Sequence, residues 1–188
     1  MKKSDFVGAL LPDYLALKYY NWQVRLLLLS SCCFTMTGLL GIGYQQYIFG
    51  SLVFSSGVCS LNYWRVPGPS MRRDLDYILA GLALGYAVIA GFCVRGVLNI
   101  LAWVGFVTMF FLFRHSWFLS VGDGGDGTWA CWHAAAHVSA AIAGAFQALG
   151  GVDGWLQDLS LMSVRDNLPG TLGVALLVTV LAYDHLQR

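Results

Sequence analysis

The stretch LLLLSSCCFTMTGLLGIG, residues 26–43, runs for eighteen residues without a charged side chain. A helix needs about 20 predominantly apolar residues to cross the hydrocarbon core of a bilayer, so this run has the composition of a transmembrane helix. The whole chain has the same character, because 57% of its 188 residues are hydrophobic and only 11% are charged. A soluble domain averages about 25% charged residues. We therefore expect an all-α integral membrane protein.

Further apolar runs predict a polytopic bundle of about six transmembrane helices. The six runs are residues 26–43, 47–64, 77–94, 97–113, 128–149 and 171–183. The aromatic-rich start, residues 1–25, is expected to lie along the membrane interface, and residues 150–170 have the pattern of a surface loop with a short amphipathic helix. Because no linker or internal repeat divides the chain, residues 1–188 are predicted to form a single domain.

The basic residues predict the orientation of this bundle. Six crossings place nine of the 11 Lys and Arg residues on the side of both termini, and only Arg95 and Arg165 on the other. Cytoplasmic or inner loops carry an excess of such residues, so both termini are predicted to lie inside. Arg65, Arg72 and Arg73 flank a turn at this side, where they either bind anionic lipid head groups or only anchor the topology. The net charge of +1 argues against a nucleic-acid partner.

Polar residues mark one end of three predicted helices. Ser60 lies near the end of the second run, Asp74 and Asp76 precede or open the third, and His133 and His137 lie in the fifth. The topology places all of them near the inner face. A His-x-x-x-His pair projects both imidazoles from one helical face, at the spacing that can hold one metal ion. Ionisable groups within a membrane are candidates for function.

These residues resemble the pattern of the CREST superfamily of membrane hydrolases, which includes alkaline ceramidases and the progestin and adiponectin receptors. The resemblance rests on Ser60, on Asp76 in the LDY opening a Gly-rich helix, and on His133 and His137, over roughly residues 57–140. It implies a zinc-dependent hydrolase of a lipid amide or ester, with Ser60 and Asp76 organising the zinc-bound water. Two departures stand against it. Trp64 occupies the place of one zinc-binding histidine, and the His pair lies on the fifth of six helices rather than on the last of seven.

The residues themselves leave three roles open for the histidines. They can form a structural network with Asp or backbone groups, bind a metal with a third ligand from Asp74, Asp76 or His115, or ligate a haem or pigment. A buried imidazole without a partner costs roughly 1–3 kcal/mol. We therefore expect at least one histidine to bond Asp76, Asp74, Ser60 or a backbone carbonyl. No motif for a cofactor is present, and zinc is the one that the resemblance implies.

Three functions follow from these observations. The first is a non-catalytic accessory subunit of a larger membrane complex, which contacts other transmembrane subunits and lipids, for example in an energy-transducing membrane such as the mitochondrial inner membrane. It is favoured because no complete catalytic set is present. The second is a CREST-like, metal-dependent lipid hydrolase. The third is a proton-coupled transporter with a His–Asp relay, although we detect no inverted repeat.

Overall fold

The computed structural model describes residues 21–67, 70–92, 96–121 and 127–152, and the regular structure in these ranges is helical. It consists of α1 (Asn21–Gly43), α2 (Tyr47–Arg65), α3 (Met71–Gly91), α4 (Val97–Val121) and α5 (Trp129–Leu149). These helices pack side by side around a shared core. The prediction of an all-α helical bundle is confirmed.

The five helices coincide with the first five predicted apolar runs, although α1, α3 and α4 extend well past theirs. α1 and α3 begin at Asn21 and Met71, before their runs at 26 and 77, and α4 continues to Val121, beyond 113. An apolar run marks the part of a helix suited to hydrocarbon, whereas backbone hydrogen bonds can continue the helix past it. The predicted sixth run at 171–183, residues 153–170 of the predicted surface loop and residues 1–20 of the predicted interfacial segment lie outside the described residues.

Three of the helices are long and apolar enough to cross a membrane by themselves, namely α1, α3 and α4. α2 and α5 have lower hydropathy because α2 carries several serines and Asn62, and α5 carries two histidines and Gln147. The polar side chains of α2 and α5 make contacts in the interior, as Ser60 and Gln147 do. A lower apolar content therefore does not exclude these two helices from a bundle. The chain is compatible with an integral membrane protein, and the number of crossings stays a prediction.

Glycine brings α1 and α2 into close contact. A Cβ added at Gly41 would lie 3.0 Å from the Cα of Gly50, and one added at Gly57 would lie 2.6 Å from the backbone nitrogen of Thr35. Small residues allow such an approach where lipid provides no hydrophobic drive for association. Gly81 and Gly85 of α3, which have the spacing of a GxxxG pair, do not make such a contact. In the described part of the chain, a Cβ added at either glycine would have no atom of another helix within 4 Å.

α5 contacts several of the other described helices. It packs extensively against α1 and α4 and touches α3. The Ser139 hydroxyl donates to the carbonyl of Gly105 in α4 at 2.9 Å, and the Gln147 amide donates to the carbonyl of Ala87 in α3 at 2.7 Å. These side chain to backbone bonds satisfy polar groups internally, as an apolar surrounding requires.

Contacts along the helices show that α1, α3 and α5 run in one direction and that α2 and α4 run in the other. We call the end that holds the start of α1 the arginine end, because it carries all the arginines that the structure describes: Arg25, Arg65, Arg72, Arg73 and Arg114. At the opposite end, α3 and α4 meet where Trp103 contacts Phe92, at a ring-centroid distance of 5.9 Å. Elsewhere the two helices do not pack extensively against each other, and a space lies between them.

Candidate functional site

A cavity of about 780 Å³ occupies this space and receives side chains from all five helices. This volume lies within the range of roughly 300–1,000 Å³ that is typical of ligand pockets. Its polar lining belongs mainly to the half nearer the arginine end and consists of Ser56, Ser60, Asp76, Ser116, Ser120, His133 and His137. Towards the other end the wall is apolar, with Phe49, Val53, Ala87 and Phe106 among its residues. The cavity therefore has a polar half and an apolar half.

Ser60 and Asp76 form one polar group in the wall of this cavity. Both side chains are buried, and the Ser60 hydroxyl is a hydrogen-bond partner of the Asp76 carboxylate. The Ser60 oxygen also lies 3.0 Å from the hydroxyl oxygen of Ser31 in α1, which in turn lies 2.7 Å from the carbonyl of Leu27. The Ser31 hydroxyl donates its one proton to that carbonyl, so its oxygen accepts from Ser60, and the single Ser60 proton can be donated either to Ser31 or to Asp76. Ser31, Ser60 and Asp76 thus form one connected polar group between α1, α2 and α3.

His133 and His137 line the same cavity from α5, and their rings contact each other at a centroid distance of 4.7 Å. The Nδ1 atom of His137 lies 3.0 Å from the hydroxyl oxygen of Ser30 in α1. We predicted that at least one of the two histidines bonds Asp76, Asp74, Ser60 or a backbone carbonyl, and the hydrogen bond described for His137 is with the Ser30 hydroxyl instead. His133 instead lies among aromatic rings, with Trp64 at 5.4 Å and Phe113 at 5.1 Å between centroids.

Trp64 fills the position at which the resembled pattern has a third zinc-binding histidine. Its ring is buried and contacts His133 and Tyr63, the latter at 4.6 Å between centroids. Over the ranges that the structure describes, no group of three or more His, Cys, Asp or Glu side chains is arranged to hold a metal ion. A catalytic zinc commonly has three protein ligands and one open position. The donor set present around His133 and His137 therefore does not fit the zinc that the resemblance implies.

The other candidate residues lie outside the cavity lining. Asp74 is exposed and forms an ion pair with Arg73 at 3.2 Å. His115 is exposed, and its ring packs on Trp132 at 4.7 Å between centroids. Neither can supply a third ligand from these positions. Arg65 is exposed, and its Nη2 atom lies 3.5 Å from Oδ1 of Asn62. Arg72 is partly buried. The three candidate head-group-binding arginines, Arg65, Arg72 and Arg73, all lie at the arginine end.

Sequence reasoning brought Ser60, Asp76, His133 and His137 to the same end of the bundle, and the structure places all four in one cavity wall. It missed the part played by α1, whose Ser30 and Ser31 hold the histidine and serine groups in place. A pair of adjacent serines in an otherwise apolar run was the available signal. No family model, curated protein or solved structure matches this chain.

Proposed function

We propose that this chain is a non-catalytic transmembrane subunit whose cavity binds a membrane amphiphile. The observation that carries the proposal is the cavity of about 780 Å³, with polar side chains in one half and apolar side chains in the other. A lipid or other amphiphile has the same division into a polar head and an apolar chain. Its head would contact the Ser60 and His133 region, and its chain would lie between α3 and α4.

The lining of the cavity supports binding rather than catalysis. Ser60 is paired with Asp76, and His137 is paired with Ser30, so these groups are held by other parts of the protein. The His133 ring lies against the rings of Trp64, Phe113, Trp129 and His137, and of these four only His137 carries a nitrogen that can bind a metal. A catalytic base needs to lie within hydrogen-bond reach of the group that it activates. The aromatic and apolar remainder of the wall suits a bound chain.

The gap between α3 and α4 supports access from the membrane. A Cβ added at Gly81, which lines the cavity, would meet only open space. The outward side of α3 is apolar and exposed, with Ile78, Leu82 and Ile89 each at least half exposed. In a bilayer, such side chains would face lipid or a neighbouring transmembrane subunit. An amphiphile could then enter sideways, without leaving the membrane.

Binding can be tested by filling the cavity. Gly81→Phe adds a ring where the structure has open space, and Leu82→Phe adds a ring at a neighbouring position that does not line the cavity. The protein would be reconstituted in nanodiscs with a photoactivatable, uncharged alkyl probe, and the labelled peptides would be mapped. We expect labelling of α3 and α4 in the unmodified chain and in Leu82→Phe, and its loss in Gly81→Phe. Equal labelling of both variants would contradict the proposal.

The same proposal includes a multi-pass topology with the arginine end on the inner side. All arginines within the described ranges support this orientation, since they lie at one end. In a chain whose five cysteines are replaced by serine, single cysteines at positions 44 and 72 should label from opposite sides of the membrane. If positions 44 and 72 label from the same side, α1, α2 and α3 do not cross the bilayer in alternating directions. Cell fractionation would test the further expectation of an energy-transducing membrane.

A lipid hydrolase is the second candidate, and one observation favours it. Ser60, Asp76, His133 and His137, on which the resemblance to CREST hydrolases rests, line a single cavity. This candidate requires the purified chain to hold zinc and to cleave a lipid amide or ester. His137→Ala and a chelator should then each abolish cleavage. If the purified chain contains no zinc and does not cleave ceramides or glycerolipids, the hydrolase candidate is excluded and the binding function remains.

A further inference from the structure

The described lining of the cavity contains one carboxylate and no arginine or lysine. Asp76 lines the wall and is only 8% exposed, and its one described hydrogen-bond donor is Ser60. The arginines that the structure describes do not line the cavity, and Arg73 is paired with Asp74 outside it. The remaining titratable side chains of the lining are His133, His137, Tyr63 and Tyr77. Asp76 is therefore the one described side chain of the lining that can carry a negative charge near neutral pH.

A buried carboxylate is stable when it is paired with a cation or receives several hydrogen bonds. The single hydroxyl donated by Ser60 meets only part of this requirement, because a carboxylate has about four acceptor sites. The other sites face a cavity that is large enough for a ligand. A ligand that carries a positive charge would supply the missing partner.

Aromatic rings surround the same part of the cavity. Tyr63 and Trp64 contact each other at 4.6 Å, and Trp129 lies 6.4 Å from Trp64 between centroids. All three rings line the cavity, together with Tyr77, which follows Asp76 in the chain. The faces of Trp and Tyr rings attract ammonium groups, and quaternary ammonium ligands are recognised by clusters of such rings.

We propose that the ligand of this cavity is an amphiphile with a cationic ammonium head group. The head would lie beside Asp76 and against the rings of Tyr63, Trp64 and Trp129, and the alkyl chain would follow Gly81 and Ala87 between α3 and α4. This inference rests on the proposed function, because it names the chemical class of the amphiphile that the cavity binds. An anionic head group would meet the carboxylate with a like charge. A neutral head group would leave it without a counter-ion.

The test uses three photoactivatable probes with the same C16 chain and different head groups: trimethylammonium, uncharged glycerol and sulfate. The full chain would be held in nanodiscs of uncharged glycolipid, so that no bulk lipid carries a competing ammonium group. We expect the trimethylammonium probe to label α3 and α4 peptides at about one tenth of the concentration that the glycerol probe needs. The sulfate probe should label least.

Two substitutions separate the carboxylate of the cavity from a nearby one. Asp76→Asn should abolish the preference, so that the trimethylammonium and glycerol probes need similar concentrations, and circular dichroism of the variant would show that it is folded. Asp74→Asn removes an exposed carboxylate outside the cavity lining and should keep the preference. Equal labelling of the unmodified chain by all three probes would overturn the inference and leave the proposed function standing. Absence of α3 and α4 labelling by every probe would overturn both.

Discussion

Replacing Trp64 by histidine tests whether this bundle has the geometry of a three-histidine zinc site from which one ligand is absent. The Trp64 ring centroid lies 5.4 Å from that of His133, and the His133 centroid lies 4.7 Å from that of His137. Around a tetrahedral zinc with Zn–N distances of 2.0–2.1 Å, the centroids of two ligating imidazoles lie about 5 Å apart. Both observed separations are near this value. A histidine at position 64 should therefore be able to join the pair with small rotations of the side chains.

The expected result for Trp64→His is one zinc per chain, compared with a substoichiometric amount in the unmodified protein. Metal content would be measured by mass spectrometry of the purified chain after dialysis against zinc-free buffer. Binding to the folded state alone should stabilise the variant by about 2.7 kcal/mol when free zinc is 100 times the dissociation constant. That gain would appear as a zinc-dependent rise in the midpoint of unfolding.

Two controls make the result interpretable. Trp64→Phe removes the indole without adding a ligand, so it should bind no zinc. Adding His137→Ala to Trp64→His should lower the zinc content again, since it removes one of the three ligands. A folded Trp64→His chain that holds no more zinc than Trp64→Phe would refute the reasoning, because position 64 would then not be the place of the third ligand.

Three further predictions concern packing, the histidine network and assembly. Gly57→Ala should destabilise the bundle by about 1–3 kcal/mol, because its Cβ would lie 2.6 Å from the nitrogen and hydroxyl of Thr35. Gly85→Ala, with open space around it, should be neutral or stabilising by up to about 1 kcal/mol, as unfolding in sodium dodecyl sulfate would show. Ser30→Ala should cost about 1 kcal/mol by removing the partner of His137, and an unchanged unfolding midpoint would contradict that bond. Extraction in a mild detergent should yield a particle far larger than 20.6 kDa, whereas a stable monomer would exclude the accessory-subunit role.

The helices could be predicted from the sequence because apolar runs of transmembrane length leave few alternatives. Five of the six runs have a helix at the predicted place, and the differences lie at the ends. The start of α3 shows why. Arg72, Arg73 and Asp74 are too polar for hydrocarbon, yet their backbone groups still gain from continuing the helix beyond its apolar part. Hydropathy therefore locates the middle of a helix more accurately than its ends.

The site could be predicted only in part, because sequence shows the height of a residue along a helix more readily than the rotation of that helix. Counting turns was sufficient to bring Ser60, Asp76, His133 and His137 to one level of the bundle. Each residue step rotates a helix by about 100°, so partners depend on which faces meet. That rotation directs His137 to Ser30 instead of Asp76. It also directs Gly81 and Gly85 towards open space, while Gly41 and Gly57 form the close contact.

The side chain at position 64 affects both kinds of binding considered for this cavity, zinc binding and ammonium binding. An imidazole at this position would complete a metal-binding set, whereas the indole supplies an aromatic face next to the Asp76 cavity. The same variant, Trp64→His, should therefore gain zinc and lose part of its preference for the trimethylammonium probe. Trp64→Phe keeps an aromatic face and should retain most of that preference without zinc. If Trp64→His does not both gain zinc and lose preference for the trimethylammonium probe, the side chain at position 64 does not determine whether this site binds zinc or an ammonium group.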